Sequence, residues 1–228
     1  MKSLMVVVLC IAVPLTASAT DNDPGIWTAF STTDTFQADG KDSRWHYWVD
    51  AQARYFDVGS GINQWLIRPA VGYAINDNTK GWFGYARFRA RNRSGDVADE
   101  NRYWQQVDWT ARNWTGSRLT LRARLEQRSV SVGDDVGVVF RLMAKYVRPI
   151  GEGGTSNLVL AFEPFFNLAD TDWSGETGLR QNRVFVGFDR RLSEQVTLEA
   201  GYMNQYIWFE DSTDRSNHLA VFNFKVKL

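Results

Sequence analysis

Between Arg118 and Arg128 the chain reads R-L-T-L-R-A-R-L-E-Q-R, with Arg118, Thr120, Arg122, Arg124, Glu126 and Arg128 alternating with Leu119, Leu121, Ala123 and Leu125. A period of two sends these two sets to opposite faces of a pleated strand; a helix would mix them, because positions three and four apart share a helical face. The alternation recurs along the chain. Trp45, Tyr47, Val49, Ala51, Ala53 and Tyr55 oppose Arg44, His46, Asp50, Gln52 and Arg54, and Trp65, Ile67, Val71 and Tyr73 oppose Gln64, Arg68 and Gly72. Trp82, Gly84, Ala86 and Phe88 oppose Arg87, Arg89 and Arg91, with Phe83 and Tyr85 as aromatic exceptions on the charged row. Tyr103, Val107 and Trp109 oppose Gln106 and Asp108; Val138, Phe140 and Leu142 oppose Arg141 and Lys145; Leu160 and Phe162 oppose Glu163. The last three runs set Val184, Val186 and Phe188 against Arg183 and Asp189, Leu198 and Tyr202 against Glu199, and Phe222 and Phe224 against Asn223 and Lys225.

This pattern predicts ten strands of about ten to thirteen residues, the length a tilted strand needs to cross a hydrocarbon core, whereas strands of soluble proteins are usually about five or six. Ile26–Phe36 is a candidate for an eleventh. Antiparallel closure with both termini on one side requires an even count, so residues 20–43 are read as a luminal segment or as strand that raises the total to twelve. Pro69 and Pro164 each remove a ladder donor from a run, which predicts a bulge or weakened pairing there. Asn76–Lys80, Trp114–Ser117 and Ser193–Gln195 read as short turns at one end, and Asn92–Asn101, Ala169–Leu179 and Glu210–Asn217 as longer polar loops at the other.

Alternation alone leaves open which face points inward. Leucines face the core of a soluble sheet but face lipid in a membrane barrel. Two features favour lipid. Trp45, Tyr47, Tyr55, Trp65, Tyr73, Trp82, Tyr103, Tyr146, Tyr206 and Trp208 sit on apolar rows near strand ends, where two membrane interfaces would hold half-buried rings, and the chain stops at Leu228 on an apolar row. The expected architecture is therefore all-β: a single antiparallel transmembrane barrel of 10–12 strands, occupying residues 44–228 with or without the preceding segment.

Composition adds export and removes several chemistries. Residues 1–19 have the form of a cleaved secretory signal, with Lys2, an apolar core from Met5 to Pro14, and Ala17-Ser18-Ala19 before Thr20. Cys10 lies inside it, so the mature chain carries no thiol. No later apolar run is long enough for a membrane helix, leaving a barrel as the route into a bilayer. Lys plus Arg and Asp plus Glu balance at 26 each, which gives no pull toward nucleic acid.

The chain also resembles a known family, the bacterial proteins grouped as domain of unknown function 2490. The resemblance is carried by Trp27, Gln52-Ala53-Arg54-Tyr55, Leu66-Ile67-Arg68-Pro69 with Gly72-Tyr73, Arg122–Arg128, Gln181-Asn182-Arg183 and Gly201-Tyr202. It implies an outer-membrane barrel of Gram-negative bacteria and brings no assigned activity, so no catalytic residue follows from it.

On the inward rows Arg54, Arg68, Arg87, Arg89, Arg122, Arg124, Arg128, Arg141 and Arg183 face the acidic partners Asp108, Glu126, Glu163 and Glu199, giving a net positive lumen. That lumen either favours anions, as a porin-like path, or is filled by interlocked guanidinium and carboxylate groups. The expected role is a non-enzymatic barrel without metal or cofactor: a narrow anion-favouring pore or a structural surface protein. Its expected partners are outer-membrane lipid, lipopolysaccharide and the barrel-assembly machinery. A lipid-modifying enzyme is the alternative, using His46 with Asp50 nearby, since His46 and His218 belong to opposite ends of the barrel. A soluble periplasmic binding barrel is the third reading.

Overall fold

The computed structural model describes residues 20–38, 40–56, 63–92, 94–112, 116–151, 154–210 and 212–227. The expected signal at 1–19 with Cys10, the turn residues 113–115, Asp211 and the terminal Leu228 lie outside the described residues. Among the described residues the strands are β1 (Thr20–Ala38), β2 (Lys41–Phe56), β3 (Gln64–Asn76), β4 (Thr79–Arg91), β5 (Val97–Arg112), β6 (Arg118–Val130), β7 (Val136–Ile150), β8 (Ser156–Asn167), β9 (Gly178–Arg191), β10 (Val196–Ile207) and β11 (Asp214–Val226). They form one closed barrel in sequence order.

Closure corrects the even-number expectation. Successive strands pair antiparallel, but β1 returns to β11 in parallel, from Thr20 opposite Asp214 to Thr32 opposite Val226. A parallel seam satisfies both ladder edges as fully as an antiparallel one, so an odd count closes without leaving an exposed edge. The start of β1 and the end of β11 consequently lie at opposite ends. The β1–β2, β3–β4, β5–β6, β7–β8 and β9–β10 connections join strands at one end (the turn end), and the β2–β3, β4–β5, β6–β7, β8–β9 and β10–β11 connections join them at the other (the loop end).

Both prolines weaken pairing on one side only. Pro69 stays in register with Val49 of β2, yet the ladder to β4 skips from Ile67↔Arg87 to Ala70↔Gly84. Pro164 keeps Asn182 of β9, while the ladder to β7 skips from Phe165 to Phe162. The missing N–H interrupts the ladder on the side it would have served.

In β6 the alternation resolves as expected: Leu119 and Leu121 are exposed outward, and Arg124 and Glu126 are each 1% exposed inside. In β4 the assignment is reversed. Trp82, Ala86 and Phe88 are buried in the interior, and Arg87 and Arg89 point outward with Phe83. Trp82 therefore leaves the expected outer girdle.

Volume explains the reversal. Trp48, Trp82 and Trp104 meet edge to face, with Trp48 centred 6.0 Å from Trp82 and 5.6 Å from Trp104. Each of two indoles lies on the glycine directly opposite it, Trp82 on Gly72 and Trp104 on Gly84. A Cβ on Gly84 would come within 2.2 Å of the Trp104 ring. The alternation Trp82–Gly84–Ala86 thus provides a shelf for large rings instead of a lipid surface. The displaced arginines lie toward the loop end of β4, where Asp99 pairs with Arg87 at 3.2 Å and Arg89 at 2.7 Å. A second apolar cluster, including Trp27, Val159, Phe185, Leu219 and Val221, lines the opposite sector.

Gly84→Ala should force the Trp104 ring to shift and destabilise the barrel by about 1–3 kcal/mol, the usual range for overpacking. The measurement is the denaturant midpoint of the detergent-folded protein; an unchanged midpoint would show that the indole is not fixed against Gly84.

Candidate functional site

The interior holds a cavity of about 800 Å³ that begins among the loop-end residues Asn63, Asn92, Asp96 and Val132 and reaches down to Lys145 and Glu199. Among the described residues ten basic side chains line it (Arg54, Arg68, Arg91, Arg102, Arg122, Arg128, Arg141, Lys145, Arg183 and Arg215), against four acidic ones (Asp23, Asp96, Glu163 and Glu199). Asp50, Glu100 and Glu126 are buried among the inward-facing residues but outside this lining, so they offset part of the excess.

Two carboxylates organise the centre. Glu126 of β6 pairs with Arg141 at 2.5 Å, Arg128 at 2.5 Å and Arg124 at 3.3 Å. Glu163 of β8 pairs with Arg122 at 2.5 Å, Arg141 at 2.7 Å and Arg183 at 3.9 Å. Arg141 therefore bridges the two carboxylates. Nearby, Asp50 takes Arg68 through both oxygens, at 3.0 and 2.9 Å, the planar fork geometry that only arginine supplies. Glu199 holds Lys145 and Lys225, each at 2.6 Å, deeper on the other wall.

Aromatic faces hold many of the same guanidiniums, including Arg102, which also pairs with Glu100 at 2.6 Å. Around the cavity Arg102 lies 4.5 Å from the Phe88 ring centre, Arg54 5.5 Å from Phe88 and 3.7 Å from Trp27, Arg183 4.9 Å from Trp27 and 4.6 Å from Phe165, and Arg141 4.2 Å from Phe165. A second stack sets Arg124 4.2 Å from Trp104 and Arg68 4.6 Å from Trp48. A ring face attracts a cation without neutralising it. Among the described residues no carboxylate pairs with Arg54, whose guanidinium donates to Gln64 at 3.0 Å and Gln52 at 2.9 Å while its Nε has no acceptor.

The structure thus gathers Arg54, Arg68, Arg122, Arg124, Arg128, Arg141 and Arg183 inside with Glu126, Glu163 and Glu199, whereas Arg87 and Arg89 stand on the outer wall. Asp108 is inside but engages Gln106 at 2.8 Å instead of the central arginines. Pattern reading passed over Trp48, Glu100, Arg102 and Trp104, although their parity matches that of Asp50 and Gln106. His46 does not bond Asp50; its Nδ1 meets the Thr35 hydroxyl at 3.0 Å. His218 lies near the loop end and faces outward.

The acidic loops are largely occupied by local hydrogen bonds. Asp172 accepts from the amides of Asp134 and Asp135, and Asp170 accepts from the hydroxyl and amide of Thr177, which holds its carboxyl below the ordinary value. Among the described residues no three acidic, histidine or cysteine side chains converge as a metal site.

Replacing Glu126 with Gln leaves three arginines around a neutral amide. The expected loss is about 3–5 kcal/mol, the cost of removing one partner from a buried ion pair. Chemical unfolding in detergent checks it, and a loss below about 1 kcal/mol, typical of exposed pairs, would show that the cluster is hydrated.

The chain is 31% identical over 183 residues to an uncharacterized protein of Methylorubrum extorquens, covering 79% of this chain and 80% of that one. No solved structure matches it. The family model described as a protein of unknown function, DUF2490, matches residues 24–217. An eleven-stranded barrel with an arginine-lined interior is thus the architecture of a chain that belongs to the DUF2490 family.

Proposed function

We propose that this chain is an outer-membrane barrel whose interior is an anion-receptive vestibule, open toward the loop end and closed below. The carrying observation is the cavity lining, with ten basic groups against four acidic ones among the described residues, inside a wall of low polarizability. Such a wall focuses the field of its charges and raises the local concentration of anions. Arg54, held on aromatic faces and by two glutamines with no carboxylate among the described residues, retains the field an anion would feel.

Lipid contact is supported by the outer rows. Val71, Val107, Leu121, Val186, Phe222 and Phe224 are exposed along strand middles. Soluble monomers rarely expose contiguous apolar patches beyond a few hundred Å². Aromatic pairs flank this belt: Trp45–Tyr73 and Phe36–Tyr47 toward the turn end, Tyr206–Trp208 toward the loop end. Export through residues 1–19, insertion by the assembly machinery and contact with lipopolysaccharide belong to the same reading. Closure below is supported by the interlocked Arg68–Asp50 pair and the Trp48, Trp82 and Trp104 cluster, none of whose indoles line the cavity.

Two measurements test the reading. Leu121→Arg should oppose insertion by about 2–4 kcal/mol if this position meets lipid near mid-bilayer; undiminished insertion into vesicles would show that the row does not face lipid. For the vestibule, citrate should bind the detergent-folded protein in calorimetry, weaken with added salt, and weaken about tenfold or more in Arg54→Ala, the loss of one charge-assisted contact. Steady conductance in planar bilayers would replace the closed vestibule with a through-pore.

A further inference from the structure

The outer wall near the loop end carries a polar cluster that the vestibule does not use. Ser216 and His218 stand two residues apart on β11 and therefore share its outward face, next to inward Asn217 and Leu219. The barrel seam brings further polar groups to the same place. Asn22 of β1 is directly opposite Ser216 across the parallel pair, and Asn204 of β10 is directly opposite His218.

The side chains are connected. Ser216 Oγ lies 3.4 Å from His218 Nε2. Tyr202 Oη lies 2.6 Å from His218 Nδ1, and Asn22 Oδ1 lies 3.2 Å from Nε2. Asn204 Nδ2 donates to Ser216 Oγ at 2.8 Å. Two relations that nucleophilic acyl transfer requires are present, a hydroxyl within reach of an imidazole and a third group that orients the imidazole, and the Asn204 amide, which donates to the hydroxyl oxygen, is a donor next to the carbon that oxygen would attack. Asn22 Oδ1 can only accept, so its contact places a hydrogen on Nε2 in one tautomer; in the other, with Nδ1–H donated to Tyr202, the Nε2 lone pair faces the hydroxyl, and this is the form that acts as the base. A serine–histidine contact of this length is usual before substrate tightens it.

Position and chemistry agree. Ser216 and His218 lie roughly 7 and 13 Å along β11 from its start at Asp214, at about 3.3 Å per residue, beside Tyr202 and Tyr206. These positions lie on the loop-end side of the outward apolar row, the side on which the membrane reading places the ester bonds of one leaflet. Ser216 is 8% exposed, covered from water by its neighbours, while His218 is open to the surroundings. Polar groups on a lipid-facing row are costly to keep, which makes a connected set of them a functional feature.

We propose that Ser216, His218 and Asn204, with Tyr202 as a positioning residue, form a serine acyl-hydrolase site that cleaves carboxylic esters of lipids in the leaflet at the loop end. The lipid substrate rests on the membrane reading above; the dyad itself does not. Ser216 Oγ attacks the ester carbonyl carbon as its proton passes to His218 Nε2, and Asn204 donates to the resulting oxyanion. Collapse breaks the acyl–oxygen bond, and the leaving alcohol oxygen takes the proton from Nε2. Water then attacks the acyl-serine by the same route, releasing fatty acid and restoring Ser216. Asn22 Oδ1 stabilises the imidazolium between these transfers.

The test uses the full mature chain, folded in detergent and in vesicles of phosphatidylethanolamine with phosphatidylglycerol or of lipid A. A fluorophosphonate should label Ser216, located by peptide mass spectrometry, and fatty acid should be released from one of the two vesicle types, which identifies the lipid. Ser216→Ala should abolish labelling, and His218→Ala should lower hydrolysis by at least about a hundred-fold, the contribution of a general base. Tyr202→Phe should lower kcat with KM unchanged, and His46→Ala should change nothing. Gel mobility and protease protection report folding and insertion separately. Folded wild-type protein that is neither labelled nor active on a p-nitrophenyl acyl ester in micelles overturns the site, as does activity that survives Ser216→Ala. Labelling in micelles without insertion into vesicles upholds the dyad and overturns the membrane reading instead.

Discussion

A guanidinium stays protonated at any pH a barrel meets, so every arginine on the inner wall must be accommodated as a cation. That constraint shapes the interior. Carboxylates alone do not suffice, because the inward cations outnumber them, and a buried unpaired charge is the costliest defect a wall can carry. Two devices share the task. Asp50, Glu100, Glu126 and Glu163 bind arginines, and the rings of Trp27, Phe88 and Phe165 lie against several of the same guanidiniums and against Arg54, which no carboxylate binds among the described residues.

The same requirement ties the cation stack to the strand count. Trp27 comes from β1, and its ring carries both Arg54 of β2, at 3.7 Å, and Arg183 of β9, at 4.9 Å. The parallel seam between β1 and β11 is therefore part of the interior chemistry as well as of closure. Its cost falls on backbone space: Gly25 on β1 has Leu219 and the Tyr55 carbonyl where a Cβ would stand, so close packing of the seam depends on a residue without a side chain.

Alternation made most of this barrel legible before any coordinates. It gave the strand from Arg118 to Arg128 with both faces correctly assigned, along with the residues that meet at Glu126 and Glu163. It failed on β4, where two rows both looked plausible and the deciding facts, Trp104 over Gly84 and Trp82 over Gly72, belong to neighbouring strands. Charge on a row is therefore a weaker guide than the size of what stands opposite. Arg102 and Trp104 were within reach, since they share parity with Gln106, but attention to charge alone hid the aromatic half of the lumen. Eleven strands fall within the expected ten to twelve, with β1 covering the Ile26–Phe36 candidate, and only the evenness fails: it follows only if both termini share an end, a condition the sequence does not impose. The cluster around His218 was not visible at all, because Asn22 lies 196 residues away and meets it only across the seam.

Period two also explains how one wall can carry two unrelated chemistries. On β11 Asn217 and Leu219 pack inward while Ser216 and His218 point outward, so each set answers to a different solvent and different partners. A change on one face need not move the other, provided the ladder holds its register. The interior supplies that rigidity. Asn217 donates to Gln205 of β10 at 3.1 Å beneath the outward group, and Leu219 is fully buried in the apolar cluster with Trp27. Side chains fixed on the inner face set the spacing of Ser216, His218 and Asn204 on the outer one, which is the precision that a nucleophile and its base need from a scaffold. The packing beneath this part of the wall thus has a structural consequence outside itself: it fixes the spacing of the side chains on the outer face.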